Sequence, residues 1–336
     1  MRLTPRSAAI LGALTADAAA LGLHWLYDAD QLRKLQQDAP LAFRTPDAQN
    51  YAGVKGYFAH AGKHAGDRSC YGEPCRLMLA HLARNAGRFE RRRFQQEWLA
   101  SFGPGGSWVG YIDRPTRAAV LRLLACPSPD EYPECSGSDD DQLPALVGIP
   151  AILAGHTGTL DGAIDAVLSA VAVTHDNALA RSGAVACATA LHAVLSGLAL
   201  PEALFLGAGA AGDVLGPLLQ EALAMPALDP AAAAARFGMP CHLPQGLPVL
   251  FHIARTAENF RIAVEANILA GGDSCGRSLM LGALTATHDA HRQANGCDAA
   301  LGIPLEWLAR LHDLAGVTND VQLSLAWQAD HTAQAQ

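Results

Sequence analysis

Apolar residues recur at three- and four-residue spacing along almost the whole chain. Residues 7–26 carry Ile10, Leu14, Ala18, Leu21 and Trp25 on one stripe. After Pro74 the same stripe reappears as Leu77, Met78, Leu82 and Ala86. The periodicity predicts further helices over about 90–101, 115–125, 142–154, 160–173, 177–197, 201–224, 247–270, 275–289 and 304–327. No run alternates apolar and polar positions as a half-buried strand does, and no Asn-Gly type of hairpin turn joins two β-branched runs. The pattern predicts an all-α fold.

Glycine and proline divide the helices at Gly103-Pro104-Gly105-Gly106, at Pro127-Ser128-Pro129 and at Gly271-Gly272. Residues 126–141 form the longest irregular stretch and are acidic, which reads first as a solvated surface loop. A second irregular stretch, 42–70, is rich in Gly, His and Tyr. No linker separates two halves, so residues 1–336 read as one domain, with roughly the last eight residues a disordered tail. The string Gly-Ala-Leu-Thr-Ala occurs at both 12–16 and 282–286, which reads as coincidence between alanine-rich helices.

Composition sharpens the class. Alanine is roughly a fifth of the residues and aromatics are 6%, which favours closely packed helices over a β-sandwich. Half the residues are apolar and 17% charged, which excludes a wholly disordered chain. With 24 basic and 32 acidic residues, the formal charge is −8 and no dense Lys/Arg face is visible, which argues against nucleic-acid binding. Eight cysteines without CxxC pairs read as reduced, mostly buried thiols of a cytoplasmic protein. The first residues weakly imitate a secretion signal, but Asp17 interrupts the apolar run. Elsewhere Pro150, Pro201, Glu202 and Asp213 break the apolar stretches short of a membrane span.

Several polar residues stand out against this background. Asp17 lies inside an apolar helix, where a buried carboxylate needs a partner or a metal. His24 and Asp28 follow at spacings of seven and eleven, which would place all three on one helical face. Glu73 directly precedes Pro74 at a first helical position, where a capping acid is its plainer role. Asp273 follows Gly271-Gly272, so that Asp273 or Ser274 caps the next helix or serves a metal. Thr174-His175 marks another helix entrance, where the helix dipole would keep the imidazole neutral. Cys275, at a helix start, is open to thiol chemistry with His24 or His175 as base.

These stretches together resemble the ADP-ribosylglycohydrolases, which include the nitrogenase-reductase-activating glycohydrolases and the J-type lens crystallins. The matching segments are 12–22 with Asp17, 72–83, 110–117, 174–184, and 267–286 with Asn267 and Gly-Gly-Asp-Ser. His24-Trp25, followed by Tyr27-Asp28, looks like the crystallin-type branch. The resemblance implies a compact orthogonal bundle of helices around a cleft. There, magnesium would hold the ribose of ADP-ribose while the bond to a protein side chain is hydrolysed. Thr174, His175, Tyr111, Asn267 and Ser274 become expected substrate contacts, and Asp17, Glu73 and Asp273 expected metal ligands.

Departures from the family pattern fall on the metal positions. Gly72-Glu73-Pro74 and Asp273-Ser274-Cys275-Gly276 each keep one acid where the family has two. One magnesium ion is the resulting expectation, with a second ion, or none, left open. The family's catalytic acid falls near His24, so Glu73, His24 and Asp28 are the catalytic candidates. Asp139, Asp140 and Asp141 at a helix start are candidates to replace lost ligands or to contact substrate. The expected substrate is a small molecule or an ADP-ribosylated one, at an ADP-ribosyl or related N- or O-glycosidic bond. A non-catalytic, crystallin-like protein of the same fold is the alternative.

Overall fold

A computed structural model of the chain describes residues 2–227, 229–297 and 301–334, with 327–334 described by backbone alone. Among the described residues the helices are α1 (Pro5–Ala20), α2 (Ala29–Asp38), α3 (Gly72–Arg84), α4 (Arg91–Phe102), α5 (Arg114–Leu124), α6 (Ile149–Gly155), α7 (Leu160–Val171) and α8 (Ala178–Leu195). They continue as α9 (Leu200–Gly209), α10 (Gly212–Ala224), α11 (Pro230–Phe237), α12 (Leu243–Thr256), α13 (Phe260–Leu269), α14 (Ser274–Ala294), α15 (Leu305–Leu308) and α16 (Leu314–Gln334). No strand occurs among the described residues, only isolated bridge pairs. The fold is all-α.

The periodic segments differ from these helices mainly at breaks. The expected 201–224 helix is two, because Gly212 turns the chain with φ +69°. The expected 247–270 helix is also two, the second opened by Asn259, whose side chain accepts from the Ile262 N–H. Helices α2 and α11 had no counterpart in the sequence reading. The last helix runs on to Gln334, through most of the expected tail, while residues 335–336 lie outside the described residues.

Two helices organise the interior. In α1 every residue from Ala8 to Ala20 is buried, and in α14 every residue from Ser274 to Thr287. A helix buried all round cannot show a single apolar stripe. These two make the most extensive helix–helix interface in the fold. They run antiparallel, with the Thr287 hydroxyl at the Pro5 carbonyl and the Cys275 thiol at the Asp17 carbonyl.

The repeated Gly-Ala-Leu-Thr-Ala strings are the contact surface, not a coincidence. A Cβ on Gly12 would lie 2.5 Å from the Gly282 carbonyl oxygen and 2.5 Å from the Ala286 methyl. A Cβ on Gly282 would lie 2.3 Å from the Gly12 carbonyl oxygen and 2.7 Å from the Ala16 methyl. The two strings therefore meet reciprocally, and only glycine permits so close an approach. One connected set of buried apolar residues surrounds this pair, from Ala8 to Val321. By length and hydropathy, Pro5–Leu23 and Ala178–Leu195 could each cross a bilayer, contrary to the sequence reading; their windows are 89% and 56% buried within the fold.

Candidate functional site

The antiparallel packing brings the C-terminal end of α1 beside the start of α14, so Asp17 and Asp273 serve the same end of the helix pair. Asp17 is fully buried. Its Oδ2 accepts from the Ser69 N–H at 2.9 Å, and Oδ1 accepts from the Ser69 hydroxyl. Ser69 Oγ in turn accepts from the N–H groups of Tyr71 at 3.0 Å and Gly72 at 3.1 Å, fixing the start of α3. Burial pushes the Asp17 carboxyl up to about 7, against the pull of the Ser69 bonds and Arg68 and with a push from Glu73. Glu73 is half-buried in the first turn of α3 and accepts from Arg68 Nε at 2.7 Å.

His24 does not continue α1. The helix ends at Ala20, a 3₁₀ turn covers Leu21–Leu23, and His24 is extended. Trp25 then takes φ +63° and exchanges contacts with the glycine turn, its N–H donating to the Gly272 carbonyl at 2.8 Å. Gly272 itself has φ +64°, and a Cβ there would lie 2.3 Å from the Met239 carbonyl oxygen. This turn aims Asp273 inward. Its Oδ1 caps α14 through the Gly276 N–H at 3.1 Å and lies 2.7 Å from His24 Nε2.

The other ring nitrogen of His24, Nδ1, is 2.7 Å from Nε2 of His60. Burial lowers the His24 imidazole below its ordinary value even though Asp273 raises it, so this is a neutral ring donating to a carboxylate. Burial, with His24 and Lys63, takes His60 down to about 2. Since Nε2 of His24 donates, Nδ1 must accept, and His60 Nε2–H is the donor. Trp25 stacks on His24 at 4.0 Å between centroids, and Tyr111 meets Trp25 edge-on at 5.0 Å. Tyr57, 55% exposed, continues this aromatic group to the surface.

A third group adjoins these. Asp113 caps α5 through the Thr116 N–H at 2.8 Å and is buried. Burial lifts its carboxyl to about 6, with Asp140 and Asp273 adding to the push. The acidic stretch is not a free loop. Asp139 accepts from Asn177 at 2.6 Å, Asp140 from Arg114 Nε at 2.7 Å, and Asp141 lies 2.6 Å from His242 Nδ1. The backbone around Gly137 and Ser138 is stitched to residues 172–176, which brings His175 alongside. His175 is buried, with Nδ1 2.8 Å from the Thr174 hydroxyl and Nε2 unpartnered. Burial, more than a helix end, keeps it neutral by lowering it to about 3.

Other expected residues have structural duties. Asp28 is not on one face with Asp17 and His24, since α1 has ended; it caps α2 through the Gln31 N–H at 2.8 Å. Asn267 holds the turn rather than facing a cavity, donating to the Ser274 carbonyl at 2.8 Å and Ser278 Oγ at 2.9 Å and accepting from Arg277 Nε at 2.7 Å. Ser274 Oγ is buried without a partner. Cys275 offers no activated thiol: burial pushes it well up, and Asp17 and Asp273 add to this, outweighing any helix-end effect. The sequence reading missed Ser69, Cys70, His60, Asp113 and Arg277. The only signal for the first three was the unusual composition of residues 42–70.

The ADP-ribosylglycohydrolase family profile matches residues 6–335. The chain belongs to the ADP-ribosylglycohydrolase family. Crystallin J1A of Tripedalia cystophora is 25% identical over 313 residues, covering 90% of each chain. A solved chain described as an ADP-ribosylglycohydrolase-related protein complex superposes with a TM-score of 0.63 at 16% identity, over 96% of both chains, a likeness of fold.

The magnesium pair implied by this ADP-ribosylglycohydrolase resemblance does not suit the donors present. Magnesium needs near-octahedral oxygen ligands. Both Asp17 oxygens are committed to Ser69, and Glu73 is paired with Arg68. Asp273 Oδ1 is taken by the His24 imidazole and the Gly276 N–H, with no carboxylate among its hydrogen-bond partners. Asp273 Oδ2, buried without a partner, and the second oxygen of the partly exposed Glu73 are the oxygens of the three expected ligands left without a hydrogen bond.

Proposed function

We propose that this ADP-ribosylglycohydrolase relative hydrolyses an ADP-ribosyl or related N- or O-glycosidic bond without the family's magnesium pair, and that its preferred linkage is not arginine-bound ADP-ribose. The observation that carries this reading is a buried carboxyl, Asp113, raised by burial and by the neighbouring Asp140 and Asp273. Asp113 is held to about 6 beside Asp140 and Asp273. Glycosidic cleavage uses one carboxyl that delivers a proton to the leaving group and another that stabilises or attacks the sugar carbon. Asp113 suits the first role near neutral pH, and Asp273, oriented by His24, the second. The exposed Tyr57 and the half-buried Tyr111, packed over the buried Trp25, suit stacking of an adenine or ribose ring. The reading takes residues 1–336 as one cytoplasmic domain, consistent with eight free thiols.

A panel of ADP-ribosylated peptides and small glycosides, assayed with chelator present, tests it. Release from at least one non-arginine linkage is expected, and Asp113→Asn should lower it by about 10²–10⁴-fold while ADP-ribose affinity is kept. Brisk release from modified arginine that requires magnesium would overturn the reading. A second reading, a non-catalytic crystallin-like role, is favoured by one observation: Asp17, His24, His60, Asp113 and Asp273 are all at most 4% exposed. Failure of every panel member to bind or react would support that reading instead.

A further inference from the structure

His24, His60 and Cys70 reach one point in the interior from three segments: the turn after α1, the irregular stretch before residue 66, and the chain just ahead of α3. Their potential ligand atoms all lie within 4.8 Å of one another, and all three side chains are buried. We infer that this trio binds one zinc-class divalent ion through His24 Nδ1, His60 Nε2 and Cys70 Sγ, a soft-ligand centre in place of the oxygen-ligated pair. The inference does not depend on the proposed hydrolase activity.

The surroundings are those of a metal-binding histidine. A ligating imidazole normally donates its other ring N–H to a carboxylate or carbonyl, which fixes its orientation. His24 does this, with Nε2 2.7 Å from Asp273 Oδ1, and so presents Nδ1 to the trio. Two imidazoles and one thiolate are donors for zinc, cobalt(II) or copper(I), and a thiolate rejects magnesium. Three protein ligands leave the fourth tetrahedral position to water or substrate.

An independent sign of incompleteness lies around the trio. His60 Nδ1, Asp273 Oδ2 and Tyr71 Oη are buried polar atoms with no hydrogen-bond partner. Buried polar atoms left unsatisfied are destabilising. All three belong to residues of the trio or to residues touching it, so the polar groups around this point are not fully paired by the protein alone. Tyr71 packs its ring edge-on against His24, with 5.5 Å between centroids.

The movement required is small. Zinc–nitrogen bonds of about 2.0–2.1 Å and a zinc–sulfur bond of about 2.3 Å separate neighbouring tetrahedral ligands by about 3.3–3.5 Å. The two nitrogens, 2.7 Å apart, must part slightly, and the sulfur must draw in by at most about 1.5 Å. The protons balance. His60 keeps one ring proton, which moves from Nε2 to Nδ1 as Nε2 takes the ion. The Cys70 thiol gives its proton to solvent, so each ion bound releases one proton.

The test uses the full chain, stripped with chelator and then dialysed against zinc or cobalt(II) alone. The expected result is one ion per chain, one proton released per ion, and a thiolate-to-cobalt charge-transfer band in the near ultraviolet. Cys70→Ser should abolish that band and His60→Ala should weaken binding by at least about 100-fold, while Asp273→Asn should weaken it about 10–100-fold. Cys297→Ser, which removes an exposed thiol, should change nothing. Uptake well below one ion per chain by the wild-type protein, absence of the band, or a band that survives Cys70→Ser would overturn the inference. The wild-type spectrum alone decides it if a variant fails to fold. Metal uptake is read without substrate, so it stands or falls separately from the glycosidase panel.

Discussion

Asp17 shows what burial does to a single carboxyl. Its two oxygens accept from Ser69, yet desolvation still dominates and lifts it from 3.8 to about 7. A carboxyl raised in the folded state stabilises fully below its unfolded value, and that contribution is lost as pH rises through the folded value. Asp113, raised to about 6, acts in the same direction. His60 and His175, lowered to about 2 and about 3, act oppositely: their neutral folded forms lose stability as pH falls below 6.5, where the unfolded chain takes up protons. Asp17→Asn isolates one of these effects. Between about pH 5 and pH 8 the variant's unfolding free energy should fall by roughly 2–3 kcal/mol less than that of the wild type. Denaturant titrations at both pH values measure this, and parallel slopes for the two proteins would contradict the assignment.

At the scale of elements, the α1–α14 pair decides where the site lies. Small residues at 12, 16, 282 and 286 let the backbones touch, and the antiparallel register sets Asp17 against the start of α14. Larger side chains would force the helices apart and tilt Asp273 away from His24. Gly282→Ala adds a methyl that meets the Gly12 carbonyl oxygen at 2.3 Å, so overpacking of about 1–3 kcal/mol is expected. Gly209→Ala is the matched control, since its added methyl meets nothing within 4 Å in α9 and should be neutral or stabilising by about 0.5–1 kcal/mol. Thermal melts of the two variants distinguish a tight helix crossing from a general intolerance of alanine. Equal shifts would remove the special role given to the repeated strings.

Across the whole molecule, burial is uneven, and opening should follow it. Helices α1 and α14 lie at the centre with nearly every residue enclosed. In contrast, α2 buries only Leu32 and Leu35, and α11 only three alanines. Local opening costs least where few apolar contacts are broken. Hydrogen exchange followed by mass spectrometry should therefore show the slowest amides in α1 and α14 and early exchange in α2 and α11. Early exchange across 8–20 would mean that the central pair is not the last element to open. Helices α2 and α11 are also short, 10 and 8 residues, which leaves few apolar positions to mark them in the sequence.

The sequence by itself determined the helical class, most helix positions and the family, because apolar spacing and the Gly-Gly-Asp and Thr-His segments are local patterns. It also marked Asp17 as a carboxylate needing a partner, since a charge within an apolar run is visible without coordinates, and Glu73, His175 and Asp273 as polar residues at helix starts. Which partners they found was decided only in three dimensions. Ser69 lies 52 positions from Asp17 and Asp273 lies 249 from His24, and no local rule links such distances. The carboxylates expected to share a metal were given to Ser69, Arg68 and His24, while His60 and Cys70 entered from an irregular stretch with no periodic signature. Helical spacing predicts neighbours only within a helix, so the end of α1 at Ala20 was enough to separate Asp28 from the site. Burial then set the protonation of the groups that remained, and burial is a property of the packed chain alone.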